Sequence, residues 1–470
     1  MEKEVLDVED ENVKKKGPKV MNPFVPLLII IVACAIVSYF VPGGAYERTK
    51  VNGVTTVIAT SYHAMAKKPA SILQIFQSIP EGLIATSAMM FCVMLIGGVI
   101  EVYKRTHVMD ALINKIIKVS KGGSLTVVAG VMIIFFIFGG ILGWSEHIIP
   151  FVPVVISLML TMGYDSLVGM AVSGFACLIS FAVAPFNMFT VGISHMIAEL
   201  PMFSGWQFRF VCLGIICTLS LWWVLRYAAK IKQHPELSLM KDFDTTDLIM
   251  PLDETITIDG RKLISLLAML VAFIATTYGL LNLKWGFKEM SAVFLMAGVV
   301  TAFINKVEIE DAINMIIDGM KGAIAGAGII GVARGIQWIM GETNLVDPLV
   351  HSLSQFMEGS SAYITASSMF IVNFFINALI PSGSGQAMAV MPIMIPLADL
   401  LHISRQTAVM AFQFGDGISN TLWFTNGTLL IYLSLAKVPL KVWYKFCWPL
   451  QIMFFVVEFV MLYVAVLINL

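Results

Sequence analysis

Two phrases put hydrogen-bonding residues in the middle of apolar runs: GWSEH at 143–147 and PSGSGQ at 381–386. Two more do the same: SFAVAPFN at 180–187 and FGDGISNTLWFTN at 414–426. Gly383 and Gly385 permit a tight turn and close approach of backbone to a ligand. Ser382, Ser384 and Gln386 supply short donors and acceptors, and a half-helix starting near Gln386 would offer its N-terminus to a carboxylate. In the other half, Ser145, Glu146 and Asn187 occupy comparable places. Gln413, Asp416, Ser419, Asn420, Thr421 and Asn426 offer oxygens of the kind a sodium ion takes, together with carbonyls freed by the breaks. The expected substrate set is Ser145, Glu146, Asn187, Ser382, Gly383, Ser384, Gly385, Gln386, Asn420, Thr421, Asn426 and Arg334. The expected coupling set is Ser180, Gln413, Gly415, Asp416 and Ser419. An acid at mid-bilayer costs roughly 3 kcal/mol on insertion scales, so Glu146 and Asp416 call for a role. Binding a cation, carrying a proton and pairing with Arg334 all remain open. No catalytic residue, no metal cluster and no organic cofactor is expected; sodium coupling, proton coupling and pure exchange all remain open.

Such phrases need long apolar elements around them, and composition supplies these. Of 470 residues, 58% are hydrophobic and 13% charged, against about 25% charged in soluble domains. The net charge of −1 argues against nucleic acid as a partner. The six cysteines all lie in apolar runs without a CxxC pair, and read as buried free thiols. A span needs about 20 apolar residues. Val25–Val41, Leu83–Tyr103, Phe208–Leu225, Leu263–Leu281, Gly322–Met340 and Phe446–Ile468 meet or approach that length, and Ser291–Ile304 is shorter. The charged residues 1–20 read as a disordered cytoplasmic tail rather than a signal peptide. The fold expected is an all-α polytopic membrane protein with about nine spans, two re-entrant hairpins and two broken helices.

Basic residues test that topology. With both polar-tipped stretches as hairpins, the cytoplasmic side holds Lys104, Arg105, Lys115 and Lys118, then Arg226 to Lys262, then Lys437, Lys441 and Lys445. Residues 342–361 on the outside contain no Lys or Arg. That asymmetry obeys the positive-inside rule, with the N-terminus inside and the C-terminus outside.

The two halves also repeat. Near an offset of 237, Ile79, Gly82, Gly98 and Asp110 meet Ile316, Gly319, Gly335 and Asp347. Near an offset of 239, Ser145, Pro153, Phe175, Ser180 and Asn187 meet Ser384, Pro392, Phe414, Ser419 and Asn426. Hairpin aligns with hairpin and break with break, which suggests inverted repeats around a site at mid-membrane. The expected units are a first repeat 21–230 (hairpin 125–162, broken helix 166–198) and a cytoplasmic linker 231–262. An extra span 263–282 and a second repeat 290–470 follow (hairpin 362–401, broken helix 405–436).

The block IPSGSGQAMAVMPIMIPLADLLHISRQTAVMAFQFGDGISN, with GYDSLVGMAV and FTVGIS, resembles the C4-dicarboxylate anaerobic carrier (DcuC-like) family and its YfcC-like branch, within the ion transporter superfamily. The resemblance covers the chain after residue 20. It implies a secondary transporter of elevator type, a homodimer, in a bacterial inner or plasma membrane. YfcC-like proteins are regarded in part as arginine/ornithine exchangers, whereas the family name implies dicarboxylates. This chain has SEH where the family pattern has two adjacent acids, and APFNMFTVG where a Thr-Asn-Pro-Phe run is expected.

Charge then weighs the substrate. The breaks hold Glu146 and Asp416 but no Lys or Arg, which favours a cationic amino acid over a dicarboxylate or other small carboxylate. Trp144 and Trp423 beside the breaks read as interface anchors or as stacking partners for a cation. An intramembrane aspartyl protease fits poorly, because Gln413 stands where its Gly-x-Gly-Asp motif needs glycine. A channel would need a continuous pore rather than paired breaks.

Overall fold

The computed structural model describes residues 24–51, 54–58, 61–119, 125–249, 253, 255–283, 285–355, 361–401 and 403–470. The expected tail 1–20 lies outside these residues. Among the described residues, seven helices are long and apolar enough to cross a bilayer: Ser87–Arg105, Trp206–Gln233, Gly260–Gly279, Phe287–Ile304, Ile309–Glu342, Ala362–Leu379 and Leu440–Leu467. Their outward faces carry exposed Leu, Ile, Val and Phe, as on Leu263, Leu267, Leu270, Val271 and Ile274. A lipid solvent leaves such faces at no cost.

Several spans differ from their sequence outlines. The first helix is Phe24–Val37, fourteen residues, and the chain turns before Val41. The single span expected at Leu83–Tyr103 is two helices, Ile72–Ala85 and Ser87–Arg105, hinged at Thr86. Ser71 and Gln74 form a capping box that starts the earlier helix well before the apolar run. Gly322–Met340 is the later part of the 34-residue helix Ile309–Glu342. At 1.5 Å per residue that helix is about 51 Å long, well beyond the roughly 30 Å hydrocarbon core. Four short strands were not anticipated: Gly44–Ala45 pairs with His63–Ala64, and Arg48–Val51 with Val54–Val57.

Each polar phrase lies at a break between two helices. Leu125–Gly140 ends in a turn, and a 3-10 segment Glu146–Phe151 leads into Val152–Thr161. Ala362–Leu379 is followed, after Pro381, by Gly383–Leu400. Both breaks are present too. Helix stops at Phe181 and resumes at Met188; it stops at Ser419 and resumes at Gly427. The helix bounds keep the sequence offsets: Ile72 and Arg105 against Ile309 and Glu342, Leu125 against Ala362, and Ser166 against Arg405.

Two groups of helices emerge from the packing. In one, Ile309–Glu342 packs on Phe24–Val37, Ile72–Ala85 and Ser87–Arg105, and Phe287–Ile304 packs on Ser87–Arg105 and Gly260–Asn282. In the other, Leu125–Gly140 packs on Ala176–Phe181 and Ala362–Leu379 on Arg405–Ser419, flanked by Trp206–Gln233 and Leu440–Leu467. The groups meet where Ile309–Glu342 touches Gly427–Leu435 and where Ser87–Arg105 touches Glu146–Phe151.

Small residues let the first group close. A Cβ at Gly319 would fall 2.5 Å from the Gly97 carbonyl oxygen and 2.6 Å from Gly98 Cα. A Cβ at Gly322, one turn on, would meet nothing within 4 Å. Gly319→Val should therefore separate the two helices and cost about 1–3 kcal/mol or more by overpacking, whereas Gly322→Val should cost little. Thermal midpoints of the purified variants in detergent check this, and equal midpoints would contradict the packing.

Candidate functional site

A cavity of about 290 Å³ lies where the two groups meet. Glu146 and Ser145 reach it from the first hairpin tip, and Ser382, Gly383 and Ser384 from the second. Thr428 comes from the resumed second broken helix. Arg334 and Gln337 come from Ile309–Glu342, and Thr86 from the hinge between the split helices. Phe181, Phe189, Phe287 and Met89 add an apolar wall. The site is thus polar at one set of positions and aromatic at another, as small-molecule sites generally are.

At the first tip, Ser145 Oγ donates to Glu146 Oε2, and Thr428 Oγ1 donates to Glu146 Oε1 at 3.3 Å. Tyr432 OH donates to the Ser145 carbonyl. Tyr432 lies against Gly174, where a Cβ would come within 2.5 Å of its ring. The helix widens there into a π-turn, Ala171–Phe175, which makes room for the ring. Gly143 has φ +65°, and a Cβ there would stand 3.1 Å from Asn187 Cα. The turn before Ser145 thus needs glycine both for its dihedral and for its fit against the first break.

At the second tip, Ser382 caps the helix, its Oγ accepting from the Gly385 amide at 3.3 Å. The helix begins at Gly383, three residues before the expected Gln386. The amides that a first turn leaves unpaired therefore belong to Gly383 and Ser384, both of which line the cavity. Gln386 sits inside the helix, buried, donating to the Asn373 carbonyl and Oδ1 at 3.0 Å each. Gly385 is beside the cavity, against the Gln337 amide.

Arg334 donates to Gln337 Oε1. Neither Arg334 nor Glu146 forms an ion pair with the other or with any of the described residues. One cation and one anion therefore face the same cavity from different helix groups.

The other expected residues knit the breaks. Asn187 accepts from the amides of Phe189 and Thr190, at 2.9 and 3.2 Å, and Asn426 accepts from Leu429 at 2.9 Å, so each caps the helix that follows its break. Asn420 Oδ1 accepts from Asn426 at 2.7 Å and from Asn377 at 2.8 Å. Asn377 also donates to the Asp416 carbonyl at 2.7 Å and to Ser419 Oγ. Thr421 donates to the Ile418 carbonyl and to Gln451 Oε1, away from the cavity. Ser180 donates to the Cys177 carbonyl at 3.1 Å. Gly415 is a packing glycine, its would-be Cβ 2.4 Å from the Phe370 carbonyl oxygen.

Asp416 differs from these. It is fully buried, and neither carboxylate oxygen has a hydrogen-bond partner. A Cβ on Gly383 would lie 3.1 Å from Asp416 Oδ2 and 2.6 Å from Thr190 Cγ2. Thr190 Oγ1 is likewise buried without a partner. The second hairpin tip, the first broken helix and the second broken helix thus converge at Asp416.

Several residues here escaped sequence reasoning: Thr428, Tyr432, Gln337, Asn377, Thr190 and Arg209. Arg209 is fully buried and donates to Gln413 Oε1 at 3.0 Å, while Gln413 donates to the Ala184 carbonyl at 2.8 Å. Its signal was a charged residue at the start of an apolar run. Trp144 and Trp423 both pack on neighbouring aromatic rings. Trp144 is buried and stacks on Phe138 and His147, and Trp423 donates to the Phe374 carbonyl at 2.7 Å.

Comparison with known proteins bears on what this cavity serves. The family model for the C4-dicarboxylate anaerobic carrier (DcuC) matches residues 22–467. YfcC of Escherichia coli (strain K12), described as a candidate basic amino acid antiporter, is 27% identical over 374 residues, covering 77% of this chain and 74% of that protein. An uncharacterized protein of Haemophilus influenzae (strain ATCC 51907 / DSM 11121 / KW20 / Rd) is 25% identical over 498 aligned positions, covering 94% and 96%. Among solved structures, the Alcanivorax borkumensis YdaH transporter aligns with a TM-score of 0.45 at 13% identity, covering 95% of this chain and 98% of that one. Neisseria gonorrhoeae MtrF, an antimetabolite efflux pump, aligns at 0.44 and 13%, covering 96% of each.

Proposed function

The chain belongs to the C4-dicarboxylate anaerobic carrier family, and we propose that this multi-pass membrane transporter is a secondary carrier exchanging a basic amino acid such as arginine or ornithine. The observation that carries the reading is Glu146, without an ion pair among the described residues, on a cavity that Gly383 and Ser384 also line. A basic amino acid brings one carboxylate and two cationic groups. Its carboxylate would meet the amides of Gly383 and Ser384, the donors a helix N-terminus offers an anion. Its side-chain cation would meet Glu146, with the stem against Phe189 and Phe287. A dicarboxylate would find Arg334 at one end and a carboxylate at the other.

A thermal-shift screen of the purified protein tests this. Arginine and ornithine should raise the midpoint, while malate and succinate should leave it unmoved. The reverse pattern would replace the amino acid by a dicarboxylate.

The transport cycle we propose is an elevator built on inverted repeats. Its support is the constant offset between equivalent helices and the location of the cavity between two helix groups. Hairpins and broken helices would travel together, and the group around Ile309–Glu342 would stay. Cation coupling would centre on Asp416, with Thr190 and the Gly383 tip as neighbours. The N-terminus lies inside and the C-terminus outside in this scheme. Lys241 and Lys67 are both exposed. In intact cells, an impermeant thiol reagent should label Lys67→Cys and spare Lys241→Cys until the membrane is opened. Labelling of Lys241→Cys from outside would reverse the topology.

A further inference from the structure

Resting on the amino acid exchange and the elevator cycle just proposed, we infer that Arg334 is a latch on the empty carrier: its guanidinium, on the helices that stay in that cycle, attracts unoccupied Glu146 and stops the carrier from crossing without substrate. The two charges belong to different bodies. Arg334 lies in Ile309–Glu342, which packs on Phe24–Val37, Ile72–Ala85 and Ser87–Arg105. Glu146 lies at the tip of a hairpin whose first arm packs on the first broken helix. Both line one cavity, and no ion pair joins them. Among the described residues, the side chain bonded to Arg334 is that of Gln337, which is neutral and on the same helix.

This placement has a physical consequence. A carrier unit that moves leaves Arg334 behind, so Arg334 cannot accompany the substrate through the cycle. When the cavity is empty, moving Glu146 away separates opposite charges in surroundings of low dielectric, where their attraction is far stronger than in water. When a cationic substrate sits on Glu146, the moving unit is neutral there and the attraction is removed. The carrier then crosses loaded and stays when empty, which is strict exchange. Gln337 extends the same helix to the second tip, since a Cβ on Gly385 would stand 2.6 Å from its Nε2. The stationary helix therefore touches one hairpin tip and faces the charge on the other.

Proteoliposomes loaded with radiolabelled arginine provide the test. Efflux is measured into buffer with arginine and into buffer without it, for wild type, Arg334→Gln, Arg334→Met and Arg334→Lys. Wild type should release label only into arginine. Arg334→Gln and Arg334→Met should raise the ratio of net efflux to exchange at least tenfold, and Arg334→Lys should keep it near the wild-type value. An unchanged ratio in a neutral variant that still exchanges would overturn the latch. So would a monodisperse Arg334→Gln protein that neither exchanges nor leaks, which would make Arg334 an obligatory substrate anchor. Absence of arginine exchange in wild type would instead overturn the substrate reading, and the latch with it.

Discussion

Asp416→Asn is expected to abolish coupled uptake in proteoliposomes while the protein still inserts and elutes as a single species. Asp416 is fully buried with both oxygens unpartnered, a costly arrangement for a carboxylate unless a bound cation or proton completes it. Asparagine keeps the shape but removes the charge, so a cation loses its only anionic ligand among the convergent groups at this point. Packing should survive, because Gly417 on the same helix still meets Ala182 as before, with a would-be Cβ 2.2 Å from Ala182 Cα. Hence stability and transport should part company: an unchanged or higher thermal midpoint, with gradient-driven uptake at background. Two controls sharpen the result. Asn377→Ala removes donors to the Asp416 carbonyl and to Asn420, and should lower the midpoint as well as transport. Thr190→Val should weaken coupling while retaining exchange. Wild-type uptake by Asp416→Asn would move the coupling function elsewhere.

How far the sequence announced this site depends on the kind of contact. The four breaks were legible because polar residues inside apolar runs are rare and costly, and each coincides with an interruption between helices. The caps were not read as caps: Asn187 and Asn426 were expected on the substrate, and at equivalent offsets both instead accept backbone amides after a break. The helix start at Gly383 was misplaced by three residues. Serine at 382 is a better cap than the longer glutamine at 386.

What the sequence did not announce is the set of partners drawn from distant helices. Thr428 reaches Glu146 across 282 positions, and Tyr432 reaches the Ser145 carbonyl across 287. Neither residue is unusual for an apolar helix, and only the register of two packed helices brings them in. The π-turn at 171–175 has no periodic signature, since it exists to admit the Tyr432 ring. Arg209 was readable as a charge but not as a buried one, because its place three residues into a span also suits a solvated helix end. The strands at 44–64 escaped for a different reason. They are short, and their anchor is the Arg48–Asp347 ion pair at 2.8 Å, which joins segments 299 positions apart.

Glu146→Gln is expected to weaken arginine and ornithine binding by well over tenfold. Glu146 is held in place by Ser145 Oγ and Thr428 Oγ1, so its carboxylate reaches the cavity already oriented. One of those hydroxyls can still donate to the glutamine amide oxygen and the other can accept from its amide nitrogen, so the tip should keep its conformation. The change is therefore one of charge. Truncating one partner of a buried charge pair costs about 2–5 kcal/mol, most of it from leaving the other charge unpaired in a dry site. Each 1.4 kcal/mol is about tenfold in affinity, so even the low end of that range exceeds one decade. A neutral amino acid of similar length would lose far less, because its side chain never needed the carboxylate. A dicarboxylate would bind Glu146→Gln as well as wild type or better, since the repulsion between two anions disappears. Isothermal titration of arginine, citrulline and succinate into both proteins separates these cases. Loss confined to arginine supports the cation site. Equal loss for citrulline would mean that Glu146 shapes the tip rather than the charge preference. Tighter succinate binding in the variant, with arginine silent in both, would assign the cavity to a dicarboxylate and leave Arg334 as its principal anchor.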